Sequence, residues 1–221
     1  MTAEQFISHA IPALHLYDTG ESALLWMNLL NVHHLPVVEN TRFVGLASFD
    51  SLHEGGVCSI GSLMKRQPDT AHLCVLNSQH VYDALKLISE HQLTVAPVVD
   101  TDRRYLGSIG VKELLDVFTQ IVNVQEAGDT IILEMHPNDF ELKKIASIVE
   151  SDGGKILNFY TTSLNESQLM KVHLKVAGRN TTAIVQSLER FGYSIAGVFS
   201  DAKYLDDAHD HYNQLMRFLN L

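Results

Sequence analysis

Short apolar runs entered through a proline punctuate the first half of this chain. Leu35-Pro36-Val37-Val38 closes on Glu39, and Ala96-Pro97-Val98-Val99 closes on Asp100, 61 residues later. Each run has the length and composition of a buried strand, and proline, lacking an N–H, suits its first position. The surroundings recur with the runs. Ala23 and Ala84 each stand 13 residues before the proline. Both lie in helix-period stretches, Ala23-Leu24-Met27-Leu30 and Val81-Ala84-Leu85-Ile88. A polar turn and a second strand follow: Phe43 to Ser48 in one copy, Tyr105 to Gly110 in the other. Short helices near 49–54 and 112–119 close the units. The pattern predicts an internal repeat of strand, helix, strand, turn, strand and helix.

From Thr130 the pattern changes. Thr130 to Met135 reads as a strand, and Asn138-Asp139-Phe140-Glu141 as a capping box with Asn138 at the N-cap. The helix it opens carries Leu142, Ile145, Ala146 and Val149 on one face and stops at Gly153-Gly154. Lys155 to Ser163 is a strand. Met170, Val172, Leu174 and Val176 alternate with Lys171, His173 and Lys175, which predicts a half-buried antiparallel strand. Thr181-Thr182 caps a helix striped by Ile184, Val185, Leu188 and Phe191, and Ser194 to Phe199 is the last strand. This β-α-β-β-α-β order is the ferredoxin-like arrangement. An amphipathic helix with Leu205, Ala208, Tyr212, Leu215, Met216 and Leu219 is expected to end the chain. The fold class is therefore α+β. The expected parts are residues 1–60 and 61–125 (the repeats), 128–200 and the terminal helix 201–221.

Composition narrows the functional classes. With 46% apolar residues over 221 positions a real core is affordable, and no run of about 18 apolar residues suggests a membrane span. The first residues carry no positive charge of the kind that opens a secretory signal. Cys58 and Cys74 fit neither a metal spacing nor a disulfide framework, so a cytoplasmic protein is expected. A formal charge of −10, with Lys65-Arg66 and Arg103-Arg104 as the longest basic runs, argues against a nucleic acid partner.

The two proline-entered repeats, each with a glycine strand (Gly45, Gly107) running into a short helix, resemble a tandem pair of CBS domains. The likeness covers roughly Ile7 to Phe118. Residues 130–199 are similar to an ACT domain, through Leu142-Lys143-Lys144-Ile145 and the Gly153/Gly154 turn. The combination resembles the acetoin-utilisation accessory proteins of bacteria, and implies a regulatory protein without catalysis of its own.

The resemblance implies a ligand cleft between the repeats for AMP, ADP, ATP or S-adenosylmethionine. In that family a glycine strand ends in Ser or Thr, with an Asp three residues on; the hydroxyl meets phosphate and the acid meets the ribose diol. The first copy keeps Ser48 but has Ser51 at the acid position, with Asp50 one residue early. The second has Gly110 in place of the hydroxyl and Glu113 at the acid position. Lys112 and Arg104 are the cations expected to reach a phosphate. His34, Pro36, Val37, Val95 and Pro97 are expected around the base. The blander reading of the same residues is that Ser48 caps its helix and Glu113 is a first-turn acid. In amino-acid-binding ACT domains a glycine occupies the position held here by Phe140, so this part is expected to pair with a copy of itself. A homodimer, and a regulated enzyme as partner, are the expected assemblies; the rival is an interaction scaffold whose clefts no longer bind.

Metal chemistry finds little support. His33 and His34 are adjacent and point apart, and Asp207 with His211 make an i, i+4 pair better read as a solvated helix face. No Walker-type loop and no nucleophile–base pair stands out.

Overall fold

The structure, a computed structural model, describes residues 1–55, 59–163, 168–178 and 180–200. Cys58 and the expected terminal helix, with its Asp207–His211 pair, lie outside the described residues. The chain divides into two compact units, Met1–Phe118 and Thr119–Leu221.

The first unit holds the repeat. After a 3₁₀ turn at Ala3–Phe6 come β1 (Leu14–His15), α1 (Gly20–Leu30), β2 (His34–Glu39), β3 (Arg42–Ser48), α2 (Phe49–Gly55) and α3 (Ile60–Met64). The second copy has β4 (Val75–Leu76), α4 (Val81–His91), β5 (Val95–Val99), β6 (Tyr105–Gly110) and α5 (Val111–Ile121). Each copy forms a three-stranded sheet, β1-β2-β3 or β4-β5-β6, with its first pair parallel and its second antiparallel. The registers match: Val37 faces Gly45, Val98 faces Gly107, and both strands bulge at the following residue.

Local chemistry sets these elements. Thr19 Oγ1 accepts from Ser22 N–H at 3.3 Å to open α1, and His80 Nδ1 accepts from Tyr82 N–H at 3.2 Å to open α4. Both helices end on a left-handed residue, Asn31 (φ 53°) and Gln92 (φ 52°). Their inner faces, Ala23 and Met27 in α1 and Ala84 and Ile88 in α4, are buried, as are Leu35, Val37, Val95 and Val98 of the strands. The prolines do not begin their strands, as the pattern suggested; each is the third residue. Pro36 precedes the first β1 partner, Val37, and Pro97 precedes the first β4 partner, Val98. One side of each proline is thus open, and its missing N–H leaves no ladder bond unmade.

In the second unit the expected β-α-β-β-α-β order is present: β7 (Asp129–Met135), α6 (Leu142–Ser151), β8 (Lys155–Ser163), β9 (Met170–Ala177), α7 (Thr181–Arg190) and β10 (Ser194–Phe199). The sheet is antiparallel throughout, in the order β10-β7-β9-β8. Its core joins Ile131, Leu133, Val172 and Leu174 to Ile145, Val149, Ile184 and Leu188 of the helices. Two helix starts differ from expectation. Asn138 lies in a 3₁₀ turn, Pro137–Asp139, and α6 begins three residues later behind Glu141, because Phe140 is drawn against the core. At α7 the cap is Asn180, whose Oδ1 accepts from Ala183 N–H at 3.1 Å; Thr181 instead donates its hydroxyl to Asp129.

Candidate functional site

A cavity of about 560 Å³ opens inside the first unit, where strand ends and helix ends of both repeats meet. The first repeat gives Ser8, Ala10 and Ile11, ahead of β1, and the end of α1 at Leu30, Asn31 and Val32. The second gives Thr94, at the mouth of β5, and the β6–α5 corner from Gly110 to Glu113. Ile11, Leu30 and Val32 make an apolar wall; Ser8 and Thr94 add hydroxyls, and Lys112 adds an exposed cation.

Glu113 holds its carboxylate against the backbone. Its Oε2 accepts from Gly110 N–H at 3.0 Å, the reciprocal half of a capping box whose N-cap side chain is missing. A Cβ at Gly110 would stand 2.8 Å from that oxygen and 3.2 Å from Ile11. Glycine at this position therefore lets the carboxylate and the apolar wall close together. In the first repeat the other half survives. Ser48 Oγ accepts from Ser51 N–H at 3.2 Å and donates to Ser51 Oγ at 2.7 Å. A hydroxyl and an acid three residues apart are the capping pattern as well as the ligand pattern that the resemblance implies, and each repeat keeps one partner of the pair.

The strand mouths are stitched at Thr94. Its Oγ1 accepts from the backbone N–H groups of His33 (2.9 Å) and His34 (3.1 Å). In return Thr94 N–H donates to His34 Nδ1 at 3.3 Å. That nitrogen must be unprotonated to accept. Burial lowers the His34 pKa below 6.5, the neighbouring His33 adds to the effect, and Asp50 opposes it.

Of the residues singled out in the sequence, Lys112 and Glu113 line this cavity. His34 sits beside it through Thr94. Pro36, Val37, Val95 and Pro97 are buried within β2 and β5 rather than on the cavity wall. Ser48 and exposed Asp50 stand at the corresponding corner of the first repeat, β3 to α2. Arg104 is not with them. It lies at the start of β6, and the six residues to Gly110 carry the strand about 20 Å away. The sequence reading missed Ser8, Ile11, Val32 and Thr94, because no motif marks them and only the pairing of repeats brings them together. Thr94 alone carried a signal: a hydroxyl at the mouth of a repeated strand. Cys74 is half-buried, and burial raises its pKa against the pull of Arg103. Among the described residues no cluster of His, Cys, Asp and Glu is built to hold a metal ion, and no helix is long and apolar enough to cross a membrane.

Residues 60–119 match the family model of the CBS domain. The chain is similar to a CBS domain-containing protein of Dictyostelium discoideum, 24% identical over 137 residues that span 54% of this chain and 92% of that one. It is similar to the solved CBS domain pair/ACT domain protein of Thermotoga maritima, at 20% identity and a TM-score of 0.49, over 54% of this chain and 98% of that one. It is also similar to CBSX2 of Arabidopsis thaliana, solved in complex with AMP, at 23% identity and a TM-score of 0.45, over 54% and 97%. The match thus falls on the second repeat, which is similar to a CBS domain, and the first repeat has the same order of elements.

Proposed function

We propose that this chain is a regulatory, ligand-sensing protein whose repeat cavity takes an adenine nucleotide or a related adenosyl ligand. The observation that carries this reading is the pairing of chemistries on one wall: apolar Ile11, Leu30 and Val32 beside Lys112 and Glu113. An adenine ring fits the first, a phosphate the second, and a ribose diol the free oxygen of Glu113. Ser48 and Asp50 form the weaker, second corner. The chain acts through binding and not catalysis: the ligand joins elements of both repeats and so favours one arrangement of them. The second unit is read as an ACT-like partner domain, and the whole as a homodimer that regulates another protein in the cytoplasm.

The rival reading is a scaffold with decayed clefts. It draws on the same carboxylate, already bonded to Gly110 N–H, and on Ser48, already bonded to Ser51. Calorimetry and thermal melts with AMP, ATP and S-adenosylmethionine at millimolar concentration separate the two. A ligand at about a hundred times its Kd adds roughly 2.7 kcal/mol and raises the midpoint several degrees. Glu113→Ala is expected to weaken the binding more than Asp50→Ala. Absence of heat and of any shift with all three ligands would leave the scaffold.

A further inference from the structure

The second unit has a cavity of its own, about 470 Å³, in the groove between α6 and α7. It lies in neither repeat, and the nucleotide reading does not use it. Three cations line it: Lys143, Lys144 and Arg190. Among the described residues none of them is within ion-pair distance of a carboxylate, although Glu141 and Asp152 line the same groove. On a chain of formal charge −10 that is a local inversion of sign.

The groove also fixes its cations. Arg190 Nη2 donates to the hydroxyl of buried Ser187 at 3.1 Å, and its guanidinium lies 5.8 Å from the Phe191 ring centre. Lys144 Nζ lies over the Tyr193 ring at 5.5 Å. A guanidinium so held presents its remaining N–H groups as a planar fork, the geometry that phosphate and carboxylate accept. Ser147 adds a hydroxyl along α6, while that of Ser151 is already donated to the Ser147 carbonyl at 2.6 Å. At the helix end the chemistry reverses. Asp152 Oδ2 is buried and has no hydrogen-bond partner among the described residues. A buried carboxylate oxygen without a donor is a standing cost; because this one is shielded from water, a ligand's O–H or N–H removes that cost only by turning the Asp152 side chain toward the groove it lines.

We infer that the α6–α7 groove binds a small phosphate monoester bearing a hydroxyl, its phosphate on Arg190, Lys143 and Lys144 and its hydroxyl on Asp152. The two ends of the groove ask for opposite partners, and one small molecule of this class supplies both. Phosphate satisfies the three cations better than a single carboxylate, because it carries up to two charges to the carboxylate's one and offers one free oxygen to each cation.

The test uses the full chain and two probes without a base, inorganic phosphate and glycerol 3-phosphate, read by calorimetry and by backbone NMR shifts. Both probes are expected to bind, the ester more tightly, with shifts concentrated on α6 and α7. Arg190→Gln is expected to weaken both at least about tenfold, the loss of one charge-assisted bond. Asp152→Asn is expected to remove the preference for the ester while leaving inorganic phosphate unchanged. If Arg190→Gln unfolds the domain, exposed Lys143→Gln takes its place. Lys112→Gln, in the other cavity, is expected to change neither probe, so failure of the nucleotide reading does not touch this one. No binding of either probe at millimolar concentration overturns the proposal, as does equal binding by the Arg190 or Lys143 variant. Retained ester preference in Asp152→Asn overturns the hydroxyl assignment.

Discussion

At the scale of the residue, His34 joins the two repeats and makes their junction sensitive to pH. Its ring nitrogen accepts a hydrogen bond from Thr94 N–H, and its half-buried position disfavours the charged form. The folded pKa lies below 6.5 while the unfolded value stays near it. Within that window the unfolded chain binds more protons than the folded one, so stability rises with pH there. The contribution is complete above 6.5 and is lost as pH falls through the folded value. His33 adds to the shift and Asp50 opposes it, so the direction holds with both neighbours present. The expected outcome is a melting midpoint for the first unit that drops on acidification below 6.5, and drops less in His34→Gln. Melts of both proteins across pH 5 to 8 check this, and parallel curves would remove His34 from the effect.

At the scale of the element, the two glycine strands show why the repeat needs its glycines where they stand. Gly45 and Gly107 have φ of 153° and 149°, and each faces the strand residue just before a bulge. A Cβ on Gly107 would run into Ile7 Cγ2, and one on Gly45 would come within 2.6 Å of Met64 Cε and Thr70 Oγ1. Each glycine lies under the segment that leads into the other repeat's first strand: Ile7, ahead of β1, on Gly107, and Met64 and Thr70, ahead of β4, on Gly45. Gly107→Ala combines backbone strain with overpacking and is expected to destabilise the first unit by about 2–4 kcal/mol. Ile7→Ala in the same chain should recover part of that loss, since it removes the atom that is struck. Urea unfolding of the single and double variants measures the coupling; purely additive losses would show that the clash is not the cause.

The same elements show what the sequence made legible. The repeat, its helices and its strands stood out because period and spacing are local properties, and so did the order of the second unit. Glu113 can be placed on the cavity because a hydroxyl–acid spacing leaves a trace even when half of it is gone; Lys112, like Arg104, is assigned by its charge, and it lines the cavity. Ser8, Ile11 and Val32 left none: they are ordinary loop and helix-end residues until a second repeat packs against them. Arg104 was assigned by its charge, and a strand's length separates it from the cavity. The sequence offers Asn138 as a cap through its capping-box spacing to Glu141, and Thr181 through its residue type. The competition was decided by tertiary contacts, Phe140 against the core and Thr181 on Asp129.

At the scale of the whole molecule, the question is what covers the apolar surface that the first unit leaves in water. Helix α5 buries Leu114 and Val117, yet Val111, Leu115 and Phe118 are 54%, 60% and 56% exposed. These three follow one another at i, i+4 and i+7 and so make one stripe. On α1, Leu25 and Leu29 are 70% and 74% exposed at i and i+4. Singly such residues are common on surfaces, but ordered stripes mark contact faces. A second copy of this chain presents the same stripes, and a two-fold pairing lets each cover its counterpart. We therefore expect a homodimer with α5 in its interface. Light scattering of the intact chain at tens of micromolar should give twice the chain mass. Leu115→Asp with Phe118→Asp should shift the protein to monomer, since a buried charge opposite an apolar stripe opposes association from both sides. Val111 is left in place because it also lines the cavity, so nucleotide binding can be measured in the same variant. A monomeric intact chain would sink the dimer, and a variant as dimeric as the parent would move the interface off α5.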